Sequence, residues 1–360
     1  MAGIREMTPE DYAPVAALLR ANGLTAEGEI GWLNHWESNP FRDTASSMGW
    51  VLEHDDGSIV GTFGNLPLRY EWNGRPIRVA AACRWAVDPK FRRDSIKLFR
   101  RFLRQRDVDL LLTSTASSRV SKIFSAVRFR PVPHAEYDKA LFWVTNTRGF
   151  AASALRHLRV PLANMLSAPV GLALRGVERL HPRRGTRDLS QTIQLAEFDD
   201  RFDAFWERLR RQQDRLLAVR SYQALSWHFK SALDRGRLAI LALEEGGELL
   251  GYIVIFRHDQ DAIGLTRYRV ADLQVLGDAR ALVQSLMVGV LRLAAEQGVH
   301  IVEVVGLEST KREALLALSP QRRQLPSWLF YYRPLDQRLE PCLATPSAWD
   351  PSPFDGDASL

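Results

Sequence analysis

Cysteine is nearly absent from this chain of 360 residues. Cys83 and Cys342 are too few for a disulfide framework and too few for a cysteine-built metal site, so a stapled secreted scaffold and a structural zinc fold are excluded and no metal is expected. Long apolar runs are also missing. No stretch reaches the roughly 18 apolar residues that a membrane-spanning helix needs. The opening MAGIREMTPEDY turns polar and acidic by residue 10, unlike a signal peptide, which makes a reducing cytoplasm the expected setting. There is no broad excess of charge either. The net charge is +6, and the segment 145–190 alone carries eight arginines against Glu178 and Asp188, leaving 40 basic and 40 acidic residues elsewhere. A nucleic-acid-binding face spreads its basic residues over a fold, so no nucleic-acid partner is expected.

What is present is globular. Hydrophobic residues make up 46% and charged residues 25%, and the length suits two domains of about 150 residues. Two stretches about 190 residues apart read alike. The first opens with a short strand, Ile4-Arg5-Glu6-Met7, and a helix start at Thr8-Pro9-Glu10-Asp11, where Thr8 caps, Pro9 takes the first helical position and Asp11 completes the capping box. Tyr12, Val15, Leu18 and Leu19 follow at helical spacing. The second opens with Ile193-Gln194-Leu195, and Phe198, Phe202, Phe205, Trp206 and Leu209 then recur with helical period. Trp36 precedes Gly61 much as Trp227 precedes Gly251. Each pair brackets a hairpin, turned at Asp56-Gly57 or at Gly246-Gly247. Each copy then continues into a strand (78–87 and 265–276), a helix (about 93–105 and 279–296) and a buried strand (108–113 and 300–305). The expected fold class is α/β with a mixed sheet: two similar domains, 1–145 and 191–335, joined by a basic, partly helical linker at 146–190 and followed by a tail at 336–360.

The segment Val87-Asp88-Pro89-Lys90-Phe91-Arg92-Arg93-Asp94-Ser95-Ile96-Lys97 has the makings of a phosphate site. A strand ends at Val87 and a helix opens near Arg93 or Asp94. Free main-chain amides and the helix dipole favour an anion there, and Arg92, Arg93 and Lys97 add positive charge.

Val87, Pro89 and Arg92 resemble the Val-x-Pro-x-x-Arg element of the GCN5-related N-acetyltransferase (GNAT) family. In that family a strand leads into a glycine-rich loop and a helix that hold the coenzyme A pyrophosphate. Arg93 and Ser95 stand where the family has its small residues. A second stretch, Asp109 to Phe129, resembles the family's later strand–loop–helix–Gly-Phe unit, with Phe129 matching, Arg128 in place of the glycine, and Phe124 where many members carry a tyrosine that protonates the departing thiolate. The likeness covers about residues 3–145 and 191–335. Trp36–Asn39-Pro40, the Thr113–Phe124 stretch and Trp349–Asp355-Gly356-Asp357 make the whole chain similar to tandem bacterial GNAT proteins found with polysaccharide and cell-envelope assembly.

The resemblance implies an acyl-CoA-dependent N-acyltransferase, with acetyl-CoA or another acyl-CoA as cosubstrate and a small-molecule amine as acceptor, an amino sugar or envelope precursor among them. It implies donor contacts at Ala86, Val87, Arg92, Arg93, Asp94, Ser95, Ile96, Lys97, Ser117 and Phe124, with main-chain donors at a splayed strand around Ala86–Val87 for the thioester oxygen. The hydroxyls of Thr113, Ser114, Thr115, Ser117 and Ser118 are candidates to stand in partly for the missing tyrosine, against the alternative that they form only a polar cap. After Val275 the second copy has no such element, and Asp278 there reads as a helix cap whose charge would repel phosphate, so the donor is expected in the first copy. Asp272 and Glu53 are the candidate bases, against the alternative that both are structural carboxylates. Trp36, Tyr222 and Trp227 are candidate acceptor contacts, against the alternative that they anchor helices to a sheet. Cys83 reads as a packing thiol.

Val160 to Leu174 is free of charge and flanked by Arg156, Arg159, Arg175 and Arg179. Residues 148–187 therefore suit either a strap between domains or a contact with the inner face of an anionic membrane. Two other functions stay open: a Fem-type transferase using aminoacyl-tRNA, and a degenerate, non-catalytic binding or scaffold subunit.

Overall fold

The structure is a computed structural model that describes residues 2–160, 192–212, 214–277 and 279–360. Most of the basic segment 146–190, with Pro161, Pro169 and Pro182, lies outside the described residues, as does the expected cap Asp278.

The first half begins with β1 (Ala2–Glu6), α1 (Tyr12–Ala21), α2 (Glu29–Glu37), β2 (Gly49–His54), β3 (Ile59–Trp72) and β4 (Arg75–Val87). The Thr8 amide donates to Asp11 Oδ2 at 2.9 Å, which forms the cap read from the sequence. Next come α3 (Ser95–Leu103), β5 (Leu110–Thr113), α4 (Ser118–Ala126), β6 (Arg130–Pro131), β7 (Lys139–Val144) and α5 (Thr147–His157). The second half runs β8 (Ile193–Leu195), α6 (Arg201–Gln212), β9 (Leu217–Ala218), α7 (Tyr222–Asp234), β10 (Leu238–Glu245), β11 (Glu248–Arg257), β12 (Arg267–Val275), α8 (Ala279–Glu296), β13 (Ile301–Val304), α9 (Ser309–Leu316), β14 (Gln321–Gln324), β15 (Tyr331–Pro334) and α10 (Glu340–Leu343). Gly246 and Gly247 both have positive φ, 59° and 85°, as a tight two-residue hairpin turn requires.

The strands form two mixed sheets. One has the order β1-β2-β3-β4-β5-β15-β6, with β9 also on β3; the other has the order β14-β7-β13-β12-β11-β10-β8. The halves exchange strands. β7 of the first half pairs antiparallel with β13, placing Val144 opposite Ile301. β15 of the second half pairs antiparallel with β5, placing Tyr331 opposite Thr113. The bounds 1–145 and 191–335 read from the sequence place β7 and β15 each within its own domain, but in the structure each completes the other half's sheet. An exposed edge of β5 or β13 would leave a row of unpaired amides and carbonyls, and the exchange covers both edges.

A shared core reinforces the exchange. Leu68, Tyr70 and Val79 of the first sheet bury against Phe202, Phe205 and Trp206 of α6 and against Trp349 and Phe354 of the tail. The tail is held by buried charge. Arg220 is fully buried; its Nε donates to Asp272 Oδ2 at 2.8 Å and its Nη2 to Asp272 Oδ1 and Asp355 Oδ1, both at 3.1 Å. Nearby, Lys311 Nζ donates to both oxygens of Asp350 at 2.7 Å and to the Leu273 carbonyl at 2.8 Å.

Removing one member of a buried ion cluster strands the others. Arg220→Ala is expected to cost about 3–5 kcal/mol in urea unfolding. A loss below about 1 kcal/mol would show that the cluster does not hold the tail.

Candidate functional site

The local geometry of β4 creates the site. β4 and β5 run parallel and pair only from Val79–Leu110 to Ala81–Leu112. β4 continues from Ala82 to Val87 while β5 ends at Thr113, so the strands part and, among the described residues, the edge of β4 has no strand beside it on that side. Within this stretch the pairing with β3 slips: Thr62 faces Ala86, but Gly64 faces Cys83. Arg84 occupies the bulge with φ 49°, a conformation that costs a non-glycine residue free energy and marks a specified position. The bulge inverts the alternation of the strand. Arg84 and Ala86 face α1 and α2, Cys83 lies in the core shared with the second half, and Trp85 and Val87 face α3.

On the α2 side Arg84 meets a buried histidine–carboxylate pair. His35 Nδ1 lies 2.9 Å from Glu27 Oε2, and Arg84 Nη2 donates to the same oxygen at 2.8 Å. Burial pushes the Glu27 carboxyl up, but the His35 and Arg84 contacts outweigh it and bring the pKa down to about 2. In the tautomer that donates Nδ1–H to Glu27, the neutral ring carries its lone pair on Nε2. That Nε2 is buried and has no hydrogen-bond partner among the described residues; His35 is 2% exposed. It borders a cavity of about 10 Å³ lined by Trp36, Met48, Gly64, Asn65 and Arg84, which is room for one water-sized group.

The second half packs against this histidine. Trp227 on α7 sits edge-on to His35 at 6.4 Å between ring centroids. Next to it, the Ser359 hydroxyl donates to the Pro353 carbonyl, and its oxygen lies 2.9 Å from His228 Nε2. Burial and the neighbouring His35 hold His228 down to about 3, so it stays neutral. Asp357 Oδ1 accepts from Ser114 at 2.9 Å and from Thr115 at 3.1 Å, which brings the tail to the end of β5. The Cys83 thiol is pushed up to about 12 by burial, in keeping with a packing role.

The expected phosphate segment forms a 3-10 turn from Pro89 to Asp94 that runs into α3. Its amides are partly spent: Lys90 N–H donates to Asp88 Oδ1, Phe91 N–H to the Asp88 carbonyl, and Ser95 N–H to the Arg92 carbonyl. The Ser95 hydroxyl bonds the same carbonyl at 2.7 Å. Lys97 pairs with Asp94 at 2.6 Å, while Arg92, Arg93 and Ile96 are exposed. With arginine where a glycine would turn the backbone outward, the turn closes on itself, and the free positive charge is the Arg92 and Arg93 side chains. Ser117 is the N-cap of α4. Phe124 is buried among Phe99, Phe129 and Trp85, and Tyr331 stacks on it at 6.1 Å. A phenol thus lies beside the ring that has none. Sequence order hides this, because β15 arrives from the other half.

The other expected residues lie elsewhere. Asp272 is no exposed base: it is fully buried and bonded by Arg220, by Ser352 at 3.0 Å and by the Tyr252 hydroxyl at 2.7 Å. Burial pushes its carboxyl up, but Arg220 and the Tyr252 hydroxyl outweigh that and keep it lowered. Glu53 sits near the β2–β3 turn, paired with Arg5. Trp36 lines the His35 pocket and Trp227 packs against it, whereas Tyr222 is 42% exposed at the start of α7. The second sheet opens in the same way, since β12 runs on from Val270 to Val275 beyond its last pairing with β13 and bulges opposite Val254 and Ile255. The tail turn Pro353–Asp355, Arg220 and Lys311 fill that opening. Among the described residues no cluster could hold a metal, and no helix is long and apolar enough to cross a membrane.

No protein-family model matches the sequence, and no curated protein matches it. Solved structures do resemble the fold. A GCN5-related N-acetyltransferase from Anabaena variabilis ATCC 29413 matches with TM-score 0.56 at 12% identity, over 92% of this chain and 72% of that one. Saccharomyces cerevisiae N-myristoyltransferase with bound myristoyl-CoA matches with TM-score 0.56 at 11% identity, over 92% and 78%. A GCN5-related N-acetyltransferase from Kribbella flavida matches with TM-score 0.53 at 13% identity, over 93% and 72%. The chain has the fold of GCN5-related N-acetyltransferases, shared also by the myristoyltransferase; at such identities the likeness is one of fold.

A carboxylate with a depressed pKa stabilises the fold above its unfolded pKa, near 4.5, and that contribution disappears as the pH falls through about 2. The stability advantage of wild type over Glu27→Gln is therefore expected at pH 7 and lost between pH 4.5 and 2, read from urea midpoints at several pH values. A difference independent of pH would place Glu27 outside the His35–Arg84 contact.

Proposed function

We propose that this chain is an acyl-CoA-dependent N-acyltransferase whose reaction centre is the parted, bulged stretch of β4 in the first half. The observation that carries the reading is the meeting, at the Arg84 bulge, of an unpaired strand edge and a buried histidine whose Nε2 has no hydrogen-bond partner among the described residues. The acyl donor supplies a thioester. The edge of β4 between Ala82 and Val87 offers main-chain amides to orient its carbonyl, and Arg92 and Arg93 offer charge for the phosphates. Residues 1–145 hold the donor in this reading, and residues 191–335 shape the acceptor side through Trp227.

The chemistry needs two proton movements. The acceptor amine loses a proton as its nitrogen bonds to the acyl carbon, and the departing sulfur gains one as the C–S bond breaks. His35 Nε2 takes the first, directly or through one water, with Glu27 holding the imidazole as its orienting partner. Tyr331 gives the second. The acceptor is a small amine, an amino sugar or envelope precursor in keeping with the tandem proteins that the sequence resembles. The arginine-rich segment 146–190 supports a contact with the inner face of the cytoplasmic membrane.

The 3-10 closure of residues 89–94 favours a second reading, in which the chain binds without catalysing. The two readings separate experimentally. Titration with acetyl-CoA is expected to show one site per chain, weakened at least about tenfold by Arg92→Glu with Arg93→Glu at unchanged melting temperature. Absence of binding at millimolar ligand would remove the donor claim. Thiol release with an amine library is expected to fall by about 10²–10³ in kcat for His35→Gln and for Tyr331→Phe, with acetyl-CoA affinity intact. Release unchanged by both substitutions would place the proton transfers elsewhere, and no release from wild type would favour the non-catalytic reading.

A further inference from the structure

A separate cleft of about 260 Å³ opens at the other end of α3, where β3 runs on past its pairing with β2 before β9 joins it. Arg101, Arg104 and Arg106 border it from the end of α3 and the turn beyond, and Arg69 and Arg78 border it from the β3–β4 hairpin. Five arginines face three carboxylates, Glu6, Asp43 and Asp107. The carboxylates compensate poorly. Asp43 Oδ1 is turned into its own loop, accepting from the Ala45 amide at 3.1 Å and the Ser46 hydroxyl at 2.7 Å. Asp107 lies 3.9 Å from Arg78. Arg69, Arg101, Arg104 and Arg106 have no ion-pair or hydrogen-bond partner among the described residues.

Neutralising the C-terminal dipole of α3 would account for one or two of these side chains. It does not account for Arg69 and Arg78, which reach the same space from a different element. Every cation in the cleft is an arginine, the side chain whose planar fork matches a phosphate in two hydrogen bonds. The cleft also has a fixed polar floor: Asn65 donates to the Ser47 carbonyl at 2.9 Å and accepts from Gln105 at 3.2 Å. Phe41, Pro67 and Val108 supply apolar wall. The volume falls near the lower end for ligand pockets, which begin at roughly 300 Å³, and so suits a ligand smaller than a coenzyme.

We propose that this cleft binds a small organic phosphate ester, its phosphate held by Arg69, Arg101 and Arg104 and its carbon skeleton against Phe41. The site does not depend on acyl transfer, although Asn65 belongs both to this floor and to the wall of the His35 cavity. Isothermal titration of the full chain with glucose 6-phosphate tests it, with glucose as the uncharged control. The ester is expected to bind where glucose does not. Arg101→Glu with Arg104→Glu is expected to weaken it at least about tenfold, and Arg69→Gln, on the strand rather than the helix, to weaken it as well. Arg92→Glu with Arg93→Glu leaves it unchanged, since those side chains lie at the opposite end of α3. Cosedimentation with phosphatidylcholine vesicles containing phosphatidic acid tells the source: capture lost in the Arg101/Arg104 variant puts the phosphate on a lipid, while glucose 6-phosphate binding without capture puts it on a soluble ester. No binding of glucose 6-phosphate at about 1 mM together with no vesicle capture overturns the proposal, as does binding that the Arg101/Arg104 and Arg69 substitutions leave intact.

Discussion

Arg220 is the charge on which the arrangement of the two halves depends. Buried without solvent, it would be intolerable alone, and it is made stable by Asp272 on β12 and Asp355 on the tail. Those two carboxylates fix where the last residues of the chain must run. The tail then fills the opening of the second sheet, and continues to Ser114 and Thr115 at the end of β5 and to His228 on α7. One buried guanidinium thereby closes one of two similar openings and builds a wall of the other. Burial pushes the Asp355 carboxyl up to about 7 even with Arg220 beside it, because Asp272 competes for the same cation.

The exchange of β7 and β15 gives this dependence a second form. Each sheet needs a strand from the other half, so neither half is a finished unit. The exchange also carries chemistry: Tyr331 reaches the Phe124 cluster only because β15 crosses over. Both sheets keep the parted parallel pair and the bulge, but the first surrounds it with Glu27, His35 and Arg84, and the second with Asp272, Arg220 and the tail.

Much of the fold was legible in the sequence, since local signals agreed with the global answer. The Asp-Gly and Gly-Gly turns, the Thr8 cap and the aromatic face of α6 each specify their own element. The strand exchange was not legible, because β7 and β15 are short apolar strands with no feature naming their partner, and pairing is decided by which edge is open. The site was legible in part. Val87 and Pro89 mark the strand end, and Trp36 and Trp227 both lie beside His35. His35 and Glu27 were missed because Glu27 lies just before α2 and meets His35 near the helix's far end, a contact that no local motif announces, and because Arg84 joins them from a strand 49 residues after His35. Asp272 was misread because an acid in an apolar strand looks exposed to a cleft until its arginine, 52 residues earlier, is placed against it.

A crystal structure with coenzyme A added decides most directly whether the parted strands of the first half are a donor site. The expected density runs along β4 between Ala82 and Val87, with the phosphates at Arg92 and Arg93 and the thiol facing His35. Density between β12 and β13 with the tail displaced, or none at either opening under saturating ligand, would contradict it.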